Sequence, residues 1–271
     1  METYDIFESP HWDELKSHSS NVQHILPDLY MAVNHSWSTL QKTCPSLPDV
    51  EIRAVYDDTM RSGTLGSARR SMFLQDGVWV SSMMNDDISG VDMTIRINPN
   101  VPNGWHMSYD GSCNIGYQYD LNTVLLHELL HGIGLSSSVT PNSVGYSTSF
   151  GTGCYPTLYD TKIRDKHGFV VSGCNIRRSN SYSVGGVEIY TPDTFNSGSS
   201  FSHTNTKGIM HYSIPSRRCM RLASDEYAIL NEIGVQCTPL SFSNTFPNQL
   251  SLASGHNHMH LFMFVIFCFF L

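Results

Sequence analysis

The sequence predicts an α+β fold, and three observations predict it. Helix-period and strand-period segments are mixed through the first half of the chain without the regular alternation of a βαβ protein. The strand-like runs are short and bounded by Gly, Pro and Asn. Beyond residue 135 the composition shifts to Ser, Gly, Thr, Asn and Tyr with scattered cysteines, which suits an irregular region held by disulfides.

Each element has its own justification. From Pro27 to about Gln41, Leu29, Met31, Ala32, Val33, Trp37 and Leu40 recur at near-helical spacing, with Pro27 suited to a first turn. Strands are expected at Val50–Tyr56, Val78–Ser81 and Met93–Ile97, the last alternating Met93, Ile95, Ile97. A loop rich in Gly and Pro follows, from Asn98 to Tyr119. Asp120 or Asn122 can then cap a helix whose apolar surface is Val124, Leu125, Leu126, Leu129, Leu130 and Ile133, with Gly132 and Gly134 to end it. Strand-like pieces are expected at Phe169–Val171 and Val187–Tyr190. A last helix is expected from Ser224, as N-cap, to Glu232.

The central helix carries His127-Glu128-Leu129-Leu130-His131. Imidazoles four positions apart lie about 40° apart around a helix, one turn from each other, so both reach a single metal ion. Glu128, beside the first, can deprotonate a water held by that metal. This is the His-Glu-x-x-His arrangement of zinc peptidases. A largely apolar helix carrying these three polar groups is hard to explain as structure alone.

Composition narrows the class further. The 271 residues suffice for one large domain or two lobes around a cleft, and 40% of them are hydrophobic. A net charge of -8 and the lack of any long Lys/Arg run exclude a nucleic-acid surface. Cys268 lies in a hydrophobic tail, leaving Cys44, Cys113, Cys154, Cys174, Cys219 and Cys237 with no Cys-x-x-Cys pair. Three disulfides and an oxidising compartment are expected, with local pairs Cys154–Cys174 and Cys219–Cys237 leaving Cys44–Cys113. Asn34-His35-Ser36 is a single glycosylation sequon.

The chain divides into a polar N-terminal extension (1–20), a catalytic part with the metal helix (21–135), a second part (136–238), a linker (239–260) and a hydrophobic tail (261–271). No signal peptide is visible in the first twenty residues, so a truncated start is expected. Small residues near 251–255, a histidine-rich spacer and the tail look like a lipid-anchor signal, which implies membrane attachment and a cell-surface or extracellular location.

A catalytic zinc keeps three protein ligands and one position for water, so a third ligand is needed. The compact pattern His-Glu-x-x-His-x-x-Gly-x-x-His is met as far as Gly134, but Ser137 stands at its last position. Glu188 is the only glutamate between residues 131 and 225, in a strand-like context unsuited to a ligand. Downstream, Phe201-Ser202-His203-Thr204 precedes Ile209-Met210-His211-Tyr212-Ser213. This set resembles the metzincin zinc peptidases: the delayed third histidine is similar to leishmanolysin, and the Met-His-Tyr turn to astacins. The resemblance covers residues 121–234.

It implies a two-lobed zincin-like fold, with a twisted sheet and active-site helix in the first lobe and an irregular disulfide-linked second lobe. It implies a zinc metalloendopeptidase hydrolysing peptide bonds of proteins, with one catalytic Zn2+ on His127, His131 and His203 and Glu128 as general base. His167 and His211 compete with His203 for the third place. Gly134 would turn the chain away from the metal, Met210 would form an apolar floor, and Tyr212 would ligate the metal or stabilise the oxyanion. The strand Met93–Ile97 is expected to border the cleft and pair with an extended peptide. A surface adhesion protein on a peptidase scaffold is the competing class.

Overall fold

The computed structural model describes residues 27–84, 90–110, 112–148 and 153–239. Helix α1 (Leu29–Thr43) begins where the Asp28 carboxylate accepts from the Met31 N–H at 3.1 Å. It buries Leu29, Ala32, Val33, Trp37 and Leu40 of the apolar set expected of it, but Met31 lies off that stripe and is exposed. Strands β1 (Ile52–Tyr56), β2 (Gly66–Arg70), β3 (Met72–Gln75), β4 (Val78–Ser81) and β5 (Met93–Ile97) follow. The main sheet has the order β1-β5-β2, with β5 parallel to β1 and antiparallel to β2.

That order overturns the expectation that Met93–Ile97 borders a cleft. Its hydrogen-bonding groups are used on both sides, and Met93, Ile95 and Ile97 are buried. Among the described residues β1 and β2 are the two edges of this sheet, and β2 is the edge that packs against Glu128. Gly66-Ser67-Ala68-Arg69-Arg70 lacks the β-branched residues that flag a strand, so β2 escaped sequence reading. Strands β3 and β4 form a hairpin closed at Asp76-Gly77, both at positive φ (50° and 79°), the chemistry of a two-residue turn.

A parallel pair, β6 (Trp105–His106) and β7 (Tyr119–Asp120), leads into α2 (Leu121–Ile133). Every residue of α2 but Asn122 is buried, as a helix apolar on most faces requires. Asp120 caps it, accepting from the Thr123 N–H at 3.0 Å and hydroxyl at 2.6 Å. Gly134, at φ 143, ends it. Gly132 does not; it lies inside the helix, and a Cβ there would sit 2.2 Å from Met93 Sδ and 2.7 Å from Met83 Sδ. Its role is to let the sheet close on α2.

The second half is irregular, as expected: β8 (Val139–Pro141) pairs with β9 (Tyr146–Thr148), and β10 (Arg164–Asp165), β11 (Tyr182–Val184) and β12 (Val187–Glu188) form a small antiparallel sheet. Phe169–Val171 is no strand, and contributes only a bridge from Val170 to Arg164. Helix α3 (Ser224–Glu232) follows, one residue after Ala223, which takes the N-cap place expected of Ser224.

Of the expected disulfides, Cys154–Cys174 is present. The other two pairs are corrected: Cys44 bonds Cys237, and Cys113 bonds Cys219. The physical reason is that the segment after α3 returns to the end of α1, where Thr238 N–H donates to Thr43 O at 2.8 Å and Gln236 N–H to Ser46 Oγ at 2.9 Å. Likewise Arg217 N–H donates to Gln118 O at 2.9 Å, bringing the loop of Cys113 to Cys219. One hydrophobic cluster runs from α1 through α2 to α3. No helix among the described residues is long and apolar enough to cross a membrane. The N-terminal extension, the linker beyond residue 239 and the hydrophobic tail lie outside the described residues.

Candidate metal centre

His127 and His131 point from one face of α2, and His203 meets them from the loop after β12. The three side chains are buried, and their ligand atoms all lie within 4.8 Å of one another. His127 Nε2 is 3.1 Å from His131 Nε2 and 3.2 Å from His203 Nε2. Each Nδ1 faces a backbone carbonyl: Ile209 O at 2.7 Å, Leu135 O at 2.7 Å and Ser199 O at 2.9 Å respectively. A carbonyl oxygen only accepts, so each Nδ1 carries the proton and the three Nε2 lone pairs converge. The short Nε2 distances are therefore not hydrogen bonds between neutral rings. They are close to the spacing that a shared cation would impose, since tetrahedral metal–nitrogen bonds of about 2.05 Å put their nitrogens about 3.3 Å apart, so the three rings could hold one.

Burial holds the imidazoles neutral. Desolvation, partly offset by the bond to Ile209 O, pushes His127 down to about 4. Desolvation and the neighbouring His127 push His203 down to about 3. His131 is held well below its ordinary value by desolvation, then by His127 and His203. Neutral nitrogens are what a metal requires.

Glu128 is fully buried, and neither carboxylate oxygen has a hydrogen-bond partner. Desolvation raises its pKa well above the carboxylate range. An orphaned carboxylate in the core is costly unless a ligand engages it. Gly66 of β2 packs against it; a Cβ at that position would lie 3.0 Å from Oε1.

Comparison with family models, with curated proteins and with solved structures finds no match for this chain.

The remaining site candidates divide clearly. His167 is exposed in a turn and does not join the group. His211 lies close enough to depress the pKa of His127 and His203, but its Nδ1 is engaged by Ser213 and it is not one of the three converging rings. Tyr212 is half-buried, stacked on Tyr190 at 4.1 Å and tilted against His211 at 4.2 Å. Met210 is buried, and its carbonyl accepts from Thr204 N–H at 2.8 Å. Glu188 is exposed in β12, far in character from a ligand. His256, His258 and His260 lie outside the described residues.

Ser137 has another task than ligation. Its hydroxyl donates to the buried Asp160 carboxylate at 2.5 Å, and its N–H donates to Ser202 Oγ at 3.0 Å. Asp160 also accepts from Ser138 N–H and Oγ and from Thr157 N–H. This hub ties the chain leaving α2 to the residue beside His203. Phe201, buried at φ 67, turns the backbone just before it, a left-handed conformation that bulky residues rarely adopt.

Sequence reading missed Glu226. It appears as an ordinary acidic residue in the first turn of α3, yet it is fully buried. Oε1 accepts from Met210 N–H at 3.2 Å and Oε2 from Ala223 N–H at 2.8 Å. A Cβ at Gly208 would strike Oε1, so glycine is needed there. Glu226 thus braces the turn whose Ile209 carbonyl orients His127. Its place three residues after the cap was hidden because the cap is Ala223 and not Ser224.

Proposed function

We propose that the chain is a zinc-dependent metalloendopeptidase of metzincin type that hydrolyses peptide bonds of proteins. One observation carries the reading: three neutral imidazoles converge at metal-ligand spacing, and the residue next in sequence to the first of them is a buried carboxylate with no hydrogen-bond partner of its own. An all-nitrogen donor set at tetrahedral spacing fits zinc, with a fourth position left over. His127, His131 and His203 would hold it. When bound, zinc supplies Lewis-acid chemistry and brings the pKa of a neighbouring water toward 7.

The chain's own residues do the rest. Glu128 accepts a proton from the attacking water; burial raises its pKa when the site is empty, and a bound dication would counter that shift. The same carboxyl returns the proton to the leaving amine, so hydrolysis balances as one water added across one peptide bond. Ile209, Leu135 and Ser199 carbonyls hold the imidazoles in the ligating tautomer throughout. Strand β2 offers a free edge and abuts Glu128 through Gly66, so it suits an extended peptide better than β5 does. Tyr212 is the residue proposed to help the oxyanion. Three disulfides suit a protein working outside the cytosol.

The test is Glu128→Ala. The variant should bind zinc at wild-type stoichiometry and cleave nothing; proteolysis that persists in it ends the assignment.

A further inference from the structure

Away from the three histidines, the surface between residues 162 and 178 reverses the charge of the chain. Five of its sixteen Lys and Arg fall there (Lys162, Arg164, Lys166, Arg177 and Arg178) against one acidic residue, Asp165. Asp165 is occupied by its own turn, where Oδ1 accepts from His167 N–H at 2.8 Å and Phe169 N–H at 2.9 Å. Arg164 donates to Thr161 O and Ile163 O, and Arg178 lies 5.3 Å over the Tyr146 ring. Among the described residues the side chains of Lys166 and Arg177 have no ion pair or hydrogen bond.

A cavity of about 280 Å³ opens in this stretch, lined by Phe169, Val170, Ile176, Tyr182, Arg177 and also Asp165, whose Oδ1 is the one held by its own turn. Phe169 is 70% exposed and Val170 43%, so its apolar wall faces solvent. Its floor is rigid. Buried Tyr182 accepts from Ser179 N–H at 2.8 Å and donates to Arg177 O at 3.0 Å, while Ile176 is paired to Tyr146 through both backbone groups. Tyr182 also packs at 4.9 Å on Phe201, two residues before His203.

We propose that this cavity is an exosite that docks an acidic polypeptide segment, taking one apolar side chain while flanking carboxylates meet Arg177, Arg178 and Lys166. The chain outside residues 162–178 carries a net charge of -12 (-8 less the +4 of this stretch), which disfavours such a segment on an average patch, and the Lys207–Arg221 stretch, also basic, is not among the residues lining this cavity. Concavity distinguishes it from a membrane contact, which engages a protruding apolar face. The consequence, selection of protein substrates carrying acidic stretches, rests on the endopeptidase reading; the docking itself does not.

The experiment uses the zinc-loaded Glu128→Ala protein, so that the probe survives. A fluorescein-labelled twelve-residue peptide of Glu and Asp around a single Leu is titrated by anisotropy, with its Lys-substituted counterpart and vesicles of phosphatidylcholine with phosphatidylserine alongside. The acidic peptide should bind, the basic one should not, and Arg177→Glu and Phe169→Ser should each weaken binding about tenfold at unchanged melting temperature, the loss of one good contact. No binding, or equal binding by the parent and both variants, overturns the exosite. Vesicle binding lost in Arg177→Glu without any peptide binding overturns it in favour of a membrane surface. Hydrolysis of a short uncharged peptide by the Arg177→Glu enzyme with Glu128 intact separates the two readings: wild-type turnover there leaves catalysis standing whatever the anisotropy shows, and its absence in wild type ends the endopeptidase reading alone.

Discussion

Glu226→Ala removes the brace under the metal centre, and its cost can be worked from the contacts. Two backbone donors, Met210 N–H at 3.2 Å and Ala223 N–H at 2.8 Å, lose their acceptor. A buried donor left unsatisfied costs roughly 1–3 kcal/mol. Against this, a carboxylate whose pKa is raised by burial no longer has to be desolvated. The net expectation is a loss of about 2–4 kcal/mol. Ile209 lies between Gly208 and Met210 in the braced turn, and its carbonyl fixes the His127 tautomer. Zinc affinity should therefore fall about 10–100-fold, as when an outer partner of a ligating imidazole is lost. Glu226→Gln keeps an oxygen for one donor but turns an amide nitrogen on the other, so it should fall between Ala and wild type. Urea unfolding of chelator-treated protein reads the first effect, and competition with a zinc-binding dye reads the second. Wild-type zinc affinity in the Ala variant would refute the coupling of α3 to the metal through this turn.

Three further outcomes follow from the same geometry. His203→Ala should lose zinc by more than about 100-fold while His167→Ala should not change it, because only the former ring converges with the α2 pair; dialysis followed by metal analysis decides. Gly132→Ala should lower stability by about 1–3 kcal/mol in thermal melts, since overpacking against Met93 and Met83 outweighs the roughly 1 kcal/mol gain in helix propensity; an unchanged or higher melting temperature would contradict the packing described. For the metal-free protein, His127 is held down to about 4 when folded but takes its proton near 6.5 when unfolded, so stability present above pH 6.5 is lost as pH falls toward 4. The difference in melting point between the parent and His127→Gln across pH 4–7 should show that slope, because subtraction removes the opposing titration of buried carboxyls such as Glu128, and a difference that does not vary with pH would mean the ring is not desolvated.

The parts of this protein legible in its residues are those whose determinants are local. Asp120, the apolar run from Val124 to Ile133 and Gly134 specify α2 within fifteen positions, and helical spacing alone puts His127 and His131 on one face. Alternation gave Met93–Ile97 as a strand, but not its place in the middle of the sheet, because neighbours in a sheet come from distant sequence. β2 was invisible for want of β-branched residues, although it forms the edge beside Glu128.

What only the tertiary structure decided is everything that depends on long-range closure. The 76-residue gap from His127 to His203 carries no periodicity, so the convergence of their rings is a property of the fold. Pairing by nearness along the chain found Cys154–Cys174 but not Cys44–Cys237, whose partners meet because the last segment folds back onto α1. Glu226 and Asp160 look like surface acids in the sequence; burial makes them hubs, since a carboxylate in the core must gather backbone donors and therefore pins the segments that supply them.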